Sequence, residues 1–418
     1  MFRKWLCVLL CMLLAFGSLV FAVPVSADAA GIENVIFMIG DGMGINHLRL
    51  AAQEGYTLFM EDNADLAGWS RTRSASSSVT DSAAGATALA CGVRVNNKQV
   101  GEYPPSMNKT GLRPRSITEN ALSHGMRVGI VTTDKTNGAT PAGFSAHTAS
   151  RDNGTDISNQ QLASGFDLIW GANVSSVTSS AAEANGFTYF TNVTGLRAVK
   201  AGERSFGQLP SDCWSLTPSK SSPTLAEMTD RAISLLSADA PEGFFLMVEG
   251  AHIDKFADDS TDDGAVDYPE KRAKAAECVA AFDLAVQAAV EFAREDAHTL
   301  VIVTADHETG NLYPDDETGE YAFHSASHTG VNVPVFVYGD SDLFAAGAEM
   351  DNRDIPNLIA GRLGWAERFP IEDPAPQSPA EEPTGSEQPS GGDEKNVFQR
   401  IIDWFRRFFE AIINWFRR

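Results

Sequence analysis

Paired cysteines are missing from this chain of 418 residues. Of its five cysteines, Cys7 and Cys11 fall in an apolar leader. The remaining Cys91, Cys213 and Cys278 are odd in number, which excludes a disulfide-stapled scaffold and allows one bridge at most. No zinc-type cysteine pairing occurs, so any metal centre must be built from carboxylates and imidazoles. Basic charge is scarce too. The chain has 32 Lys and Arg against 55 Asp and Glu. Two of the basic residues lie in the first 27, and five arginines with two acids lie from Asn396 onward, which leaves the middle with 25 basic and 53 acidic groups. Such a surface repels nucleic acid and excludes a nucleic-acid-binding role. It also repels small anionic substrates, so a site for one needs local positive charge, for which bound divalent cations are the obvious source. No G-x-S-x-G elbow surrounds Ser82, which argues against a conventional Ser-His-Asp hydrolase.

What is present divides the chain into four parts. Arg3 and Lys4 precede an apolar run over residues 5–23, and Val25-Ser26-Ala27 supplies small residues where a signal peptidase cuts. Residues 1–27 therefore read as a secretory signal, with an uncleaved anchor as the competing reading; both place the protein outside the cytoplasm, secreted or periplasmic. Residues 28–369 form the folded domain. Residues 370–395 are rich in Pro, Glu, Ser and Gly and read as a disordered linker. Residues 396–418 set Phe, Ile and Trp on one helical face and Arg400, Arg406, Arg407, Arg417 and Arg418 on the other. The arginines interrupt the apolar run too often for it to span a bilayer. The pattern predicts a helix lying on a membrane surface, or docking on protein.

Within the domain, short apolar runs at 34–39, 128–132, 244–248, 299–303 and 333–337 read as strands buried on both faces of a parallel sheet. Ser116 and Glu119 make a capping box for a helix that Gly125 closes, and residues 269–297 form a long amphipathic helix with Val279, Phe282, Val286 and Val290 on one stripe. Alternating strands and helices predict an α/β fold, a three-layer sandwich with a largely parallel central sheet. Four strands run straight into polar residues: Asp41, Asp134, Glu249, and the pair Asp306 and His307. Ligands of open parallel sheets bind beyond the carboxyl ends of the strands, so these groups can meet at one edge.

Six stretches carry the chemistry. Gly40-Asp41-Gly42-Met43-Gly44 projects an aspartate from a sharp turn. Asp81-Ser82 opens a helix of small residues, where backbone N–H groups favour an anion or alkoxide. Thr140-Pro141 is followed by His147 and by Arg151, whose planar fork suits phosphate. The run 248–255 brings Glu249, His252, Asp254 and Lys255, with Asp258 one helical turn after Asp254. Asp306-His307 and His328-Thr329-Gly330 complete the set. Each alone is an ordinary cap, turn or solvated charge. Together they suit a multinuclear zinc or magnesium centre.

The set closely resembles the alkaline phosphatases over about residues 34–340. The resemblance implies two zinc ions and one magnesium, small phosphomonoester substrates, a dimer, and a phosphoserine intermediate. Ser82 matches the nucleophile, Arg151 the phosphate clamp, and Lys255 a residue that tunes phosphate and magnesium binding. Asp41, Asp306 and His307 match the ligands of one zinc, with Asp41 bridging to the magnesium, and Thr140 and Glu249 match the other magnesium ligands. Asp254 and His328 match ligands of the second zinc. Two positions depart from the family. Asp258 stands where a histidine is usual, which adds negative charge and shifts preference toward a harder metal, unless Asp259 or His252 takes the place. Gly138 stands where bacterial members often have Asp and animal members His, which removes a partner of the magnesium waters. The rival readings are a related metal-dependent phosphodiesterase or sulfatase, and a catalytically impaired surface protein that binds metal or phosphate.

Overall fold

A computed structural model describes residues 31–109, 112–262 and 264–370. The segments read from sequence as a leader (1–27), a linker (370–395, its first residue apart) and a basic amphipathic helix (396–418) lie outside the described residues. The large sheet has ten strands. They are β1 (Asn34–Gly40), β2 (Leu66–Arg71), β3 (Arg127–Lys135), β4 (Leu168–Ala172), β5 (Thr188–Phe190), β6 (Ser205–Leu209), β7 (Phe244–Gly250), β8 (Thr299–Thr304), β9 (Val333–Tyr338) and β10 (Glu349–Asp351). Their spatial order is β10-β2-β9-β8-β1-β7-β3-β4-β6-β5. Successive side chains of a strand face opposite layers. In β1, Ile36 and Met38 join the core on one face, and Val35, Phe37 and Ile39 join the core on the other.

Helices cover both faces. On the first lie α4 (Leu225–Leu236) and the long α6 (Pro269–Asp296), whose Val279, Phe282, Val286 and Val290 are wholly buried, as the apolar stripe predicts. On the second lie α1 (Ser82–Cys91) and α2 (Ile117–Ser123). The capping box is present: Glu119 N–H donates to Ser116 Oγ at 3.1 Å, and Ser116 N–H donates to Glu119 Oε2 at 2.8 Å. The expected three-layer α/β sandwich is therefore the observed one. Cys91, Cys213 and Cys278 are each buried and free.

One strand departs from expectation. β9 was read as part of a parallel run, yet it pairs antiparallel with both β8 and β2. A parallel return needs a crossover of a dozen or more residues, usually a helix. Between β8 and β9 the chain instead makes short antiparallel pairings, 312–314 with 321–323 and 308–309 with 328–329, and re-enters the sheet from the edge it left. That return carries His328 back beside Thr309.

Candidate metal centre and nucleophile

β1, β7 and β8 run side by side, so residues just beyond their ends converge. Ile39 pairs with both Glu249 and Thr304, which sets Asp41 beside the Asp306-His307 turn. Gly42 holds this junction together. Its φ is +72°, and a Cβ there would come within 2.7 Å of Thr309 Oγ1. Without one, Gly42 N–H donates to Asp306 Oδ1 at 3.1 Å, and His307 N–H donates to the same oxygen at 3.0 Å. Asp306 Oδ2 is thereby left aimed into the site, buried and without a hydrogen bond, as is Asp41 Oδ1. Close packing brings Ser82 to them. A Cβ on Gly85 would meet Asp306 O at 2.9 Å, so only glycine lets α1 lie this near to the end of β8.

The result is a tight constellation. His307 Nε2 lies 3.2 Å from Ser82 Oγ, 3.3 Å from Asp306 Oδ2 and 3.5 Å from Asp41 Oδ1. In a Ser-His-Asp triad the carboxylate would orient the other ring nitrogen. Here His307 Nδ1 faces Thr309 Oγ1 at 3.2 Å, and both carboxylates crowd the nitrogen that faces serine. That geometry is poor for a triad and suits a cation shared by all four groups. Burial, then the charges of Asp306, Asp254 and Glu249, hold the Asp41 carboxyl well above its ordinary range. Burial and Asp134 push Glu249 up to about 8, against a hydrogen bond from Thr132. Buried acids crowded in this way call for positive charge.

A second cluster adjoins the first. Ligand atoms of Asp254, His307 and His328 lie within 4.8 Å of one another, as do those of Asp41, Asp306 and His307. His328 Nδ1 faces the Thr80 carbonyl at 3.0 Å, which turns Nε2 toward Asp254 Oδ1 at 3.3 Å. An imidazole anchored through one nitrogen presents the other to a metal. Burial works against a charged His328, but Asp254 holds its pKa up at about 9. The rings of His307 and His328 stack with centroids 3.6 Å apart.

Not every predicted residue joins these groups. Asp258 caps α5 (His252–Ala257) and stands exposed outside both clusters. Burial and the Asp254 charge raise its pKa, which sets it electrostatically beside the second cluster. The alternatives are committed elsewhere. Asp259 accepts a hydrogen bond from Tyr268 Oη at 2.6 Å, and His252 faces Thr133 Oγ1 and stacks on Trp214. His147 is turned to Glu119 at 3.1 Å. Arg151 lies 3.4 Å from Asp81 Oδ2, one residue from the serine. Thr140, buried on α3 (Ala139–Ser145), sits beside Glu249. Lys255 Nζ donates to Asp134 Oδ1 at 2.6 Å; burial disfavours its charge, but Asp134 more than offsets this and raises its pKa.

Sequence reasoning missed Thr132, Thr133 and Thr309. Thr132 Oγ1 donates to Glu249, Thr133 Oγ1 accepts from Ala251 N–H at 2.9 Å, and Thr309 Oγ1 donates to Asp254. Hydroxyls beside acids at strand ends were the available signal. No helix among the described residues is long and apolar enough to cross a membrane.

The donor set fits hard or borderline divalent cations: carboxylate and imidazole atoms, anchored from behind, with two buried oxygens lacking any hydrogen-bond donor among the described residues. Comparison with known proteins agrees. The chain is 35% identical over 311 residues to alkaline phosphatase 4 of Bacillus subtilis, covering 68% of this chain and 63% of that one. It is 32% identical to alkaline phosphatase 3 of the same organism, covering 67% and 62%. It thus spans less than two thirds of those relatives' length. The alkaline phosphatase of the Antarctic bacterium TAB5 superposes with a TM-score of 0.68 at 28% identity, over 81% of this chain and all of that one. The sequence profile of the alkaline phosphatases matches residues 32–177 and 213–326, and the chain belongs to that family.

Proposed function

We propose that this protein hydrolyses phosphate monoesters through a phosphoserine at Ser82. The observation that carries the reading is the convergence of Ser82 Oγ, Asp306 Oδ2 and Asp41 Oδ1 on His307 Nε2. Asp41, Asp306 and His307 would hold one zinc; Asp254 and His328, with Asp258 alongside, a second; Asp41, Thr140 and Glu249 a magnesium. A TAB5 variant with a histidine changed to aspartate is described with magnesium bound. Bound cations supply the positive charge this acidic protein lacks, lower the pKa of hydroxyl and water held against them, and neutralise the leaving oxygen.

The chain's own residues do the rest. Ser82 Oγ attacks phosphorus as its bond to the ester oxygen breaks; the leaving alcohol takes up a proton, and the serine keeps the phosphoryl group. Water then attacks the phosphoserine from the opposite side, releasing inorganic phosphate and restoring the hydroxyl. Arg151, a short movement from Asp81, grips the non-bridging oxygens. Backbone N–H groups at the start of α1 favour the charge on Ser82 and its phosphate. A monoester offers two free oxygens to the Arg151 fork, which favours it over a diester.

Ser82→Ala is expected to lower monoester turnover on the order of a thousandfold or more with metal content unchanged. A near-normal rate rules out the covalent route, and faster turnover of a diester or sulfate ester by the parent chain reassigns the substrate. Export rests on the leader sequence. Deleting residues from Asn396 onward is expected to release the protein from anionic vesicles without altering turnover; unchanged vesicle binding rules out the surface anchor.

A further inference from the structure

The mechanism leaves Asp134 without a task, although its carboxylate stands within an acidic site where an extra negative charge is unfavourable. It belongs to neither cation cluster. Among the described residues it pairs with Lys255 Nζ, at 2.6 Å. Lysine is a point charge on a flexible stem, and ordering it costs side-chain entropy, so a lysine that contacts substrate benefits from a fixed counter-charge. Lys255 is 43% exposed in its side chain, and Asp134 only 17%. The anchor is the more buried partner.

The backbone aims Asp134 deliberately. β3 pairs regularly with β4 up to Val131, then shifts register before Lys135. Such bulges turn side chains toward sites at sheet ends. Within the irregular stretch, Asp134 N–H donates to Thr132 Oγ1 at 2.8 Å, and Thr132 in turn donates to Glu249. Thr133 accepts from Ala251 N–H. Three consecutive residues of β3 thus grip the segment from Glu249 to Lys255. Gly138 completes the fit. A Cβ on it would come within 2.4 Å of Asp134 Oδ2, so a side chain at 138 and a carboxylate at 134 in this position exclude one another. The Asp134 carboxylate lies where a side chain at 138 would begin.

We propose that Asp134, set at the bulged end of β3 in room that only a glycine at 138 leaves open, is the positioning residue for Lys255 and holds its ammonium where it meets substrate phosphate. This rests on the phosphate-site reading above. The test uses the full-length, metal-loaded protein with inorganic phosphate as probe, by calorimetry, alongside KM and kcat for a monoester. Asp134→Ala is expected to weaken phosphate binding about tenfold, raising KM more than it changes kcat. Lys255→Ala should weaken it about equally, and the double variant no further, since the two act as one unit. Adding Gly138→Asp to Asp134→Ala should restore most of the affinity. Asp134→Asn, nearly isosteric, decides the matter if the alanine variant folds poorly. Unchanged phosphate affinity in Asp134→Asn and Asp134→Ala, or losses that multiply in the double variant, overturns the proposal. So does a loss that follows melting temperature and is not recovered by Gly138→Asp. If the parent protein binds phosphate but turns over no monoester, the functional reading fails while the phosphate titrations still judge Asp134.

Discussion

The two halves of the candidate metal centre are built differently. Asp41, Asp306 and His307 are buried, hang from adjacent central strands, and are locked by Gly42 and by the close approach of Gly85. Asp254 and His328 are only half-buried, come from a six-residue helix and a short hairpin return, and have the exposed Asp258 beside them. Rigid strand ends fix the first half; loops and a helix end shape the second. If the proposed function holds, the sealed half, beside Ser82, tolerates little change, and the open half is where metal preference is adjustable.

That contrast can be broken most forcefully at Asp306. Asp306→Ala is expected to cut monoester turnover on the order of a thousandfold and to lower metal content, measured by kcat/KM and metal analysis. Retention of a tenth of the activity would mean the sealed half is dispensable. Gly85→Ala attacks the same half indirectly, pressing a methyl group on the Asp306 backbone. It should cost on the order of 1–3 kcal/mol of stability and weaken zinc binding, read by thermal melts with and without metal.

The buried titratable groups around the site also set a pH dependence. Burial first, then Asp134, raises Glu249 to about 8 in the folded protein, and burial with neighbouring acids raises Asp41. A carboxyl with a raised folded pKa binds more protons folded than unfolded, so stability falls as pH rises from its unfolded value through the folded one. His328, opposed by burial but held up at about 9 by Asp254, adds in the same sense, since its contribution is lost as pH climbs through that value. Metal-free protein should therefore melt at lower temperature at about pH 8 than at pH 6, and added zinc should erase the difference. Equal metal-free melting points at the two pH values would show that the crowded acids are relieved some other way. The smallest effect is expected in the open half. Asp258→His should shift preference toward zinc over magnesium while changing turnover by about tenfold or less, checked by competitive metal titration.

Much of the frame was readable in advance. Five central strands, the capped helix after Ser116 and the buried stripe of the long helix all follow from local period and capping chemistry, which neighbouring residues carry among themselves. The edge strands β5 and β10 are three residues each and too short to show a period. β9 has the composition of a buried parallel strand, because burial on both faces demands the same apolar residues whichever way the chain runs. The threonines gave only a weak signal, hydroxyls near acids at strand ends, because a hydroxyl declares its purpose only through the acid it meets.

By itself, then, the sequence determined which groups stand at the ends of which strands, because an apolar run followed by polar residues can end only at a sheet edge. It also determined that a metal site here would draw on carboxylates and imidazoles, since no zinc-type cysteine pairing occurs. The tertiary structure decided what the order of residues does not show: that both carboxylates crowd the serine-facing nitrogen of His307, that an antiparallel return delivers His328, and that Asp134 lies in the room a glycine at 138 leaves open. Some of these contacts join neighbours in sequence and others join residues hundreds of positions apart, and only packing, where a missing Cβ or a bulged strand sets the place of a side chain, selects among them.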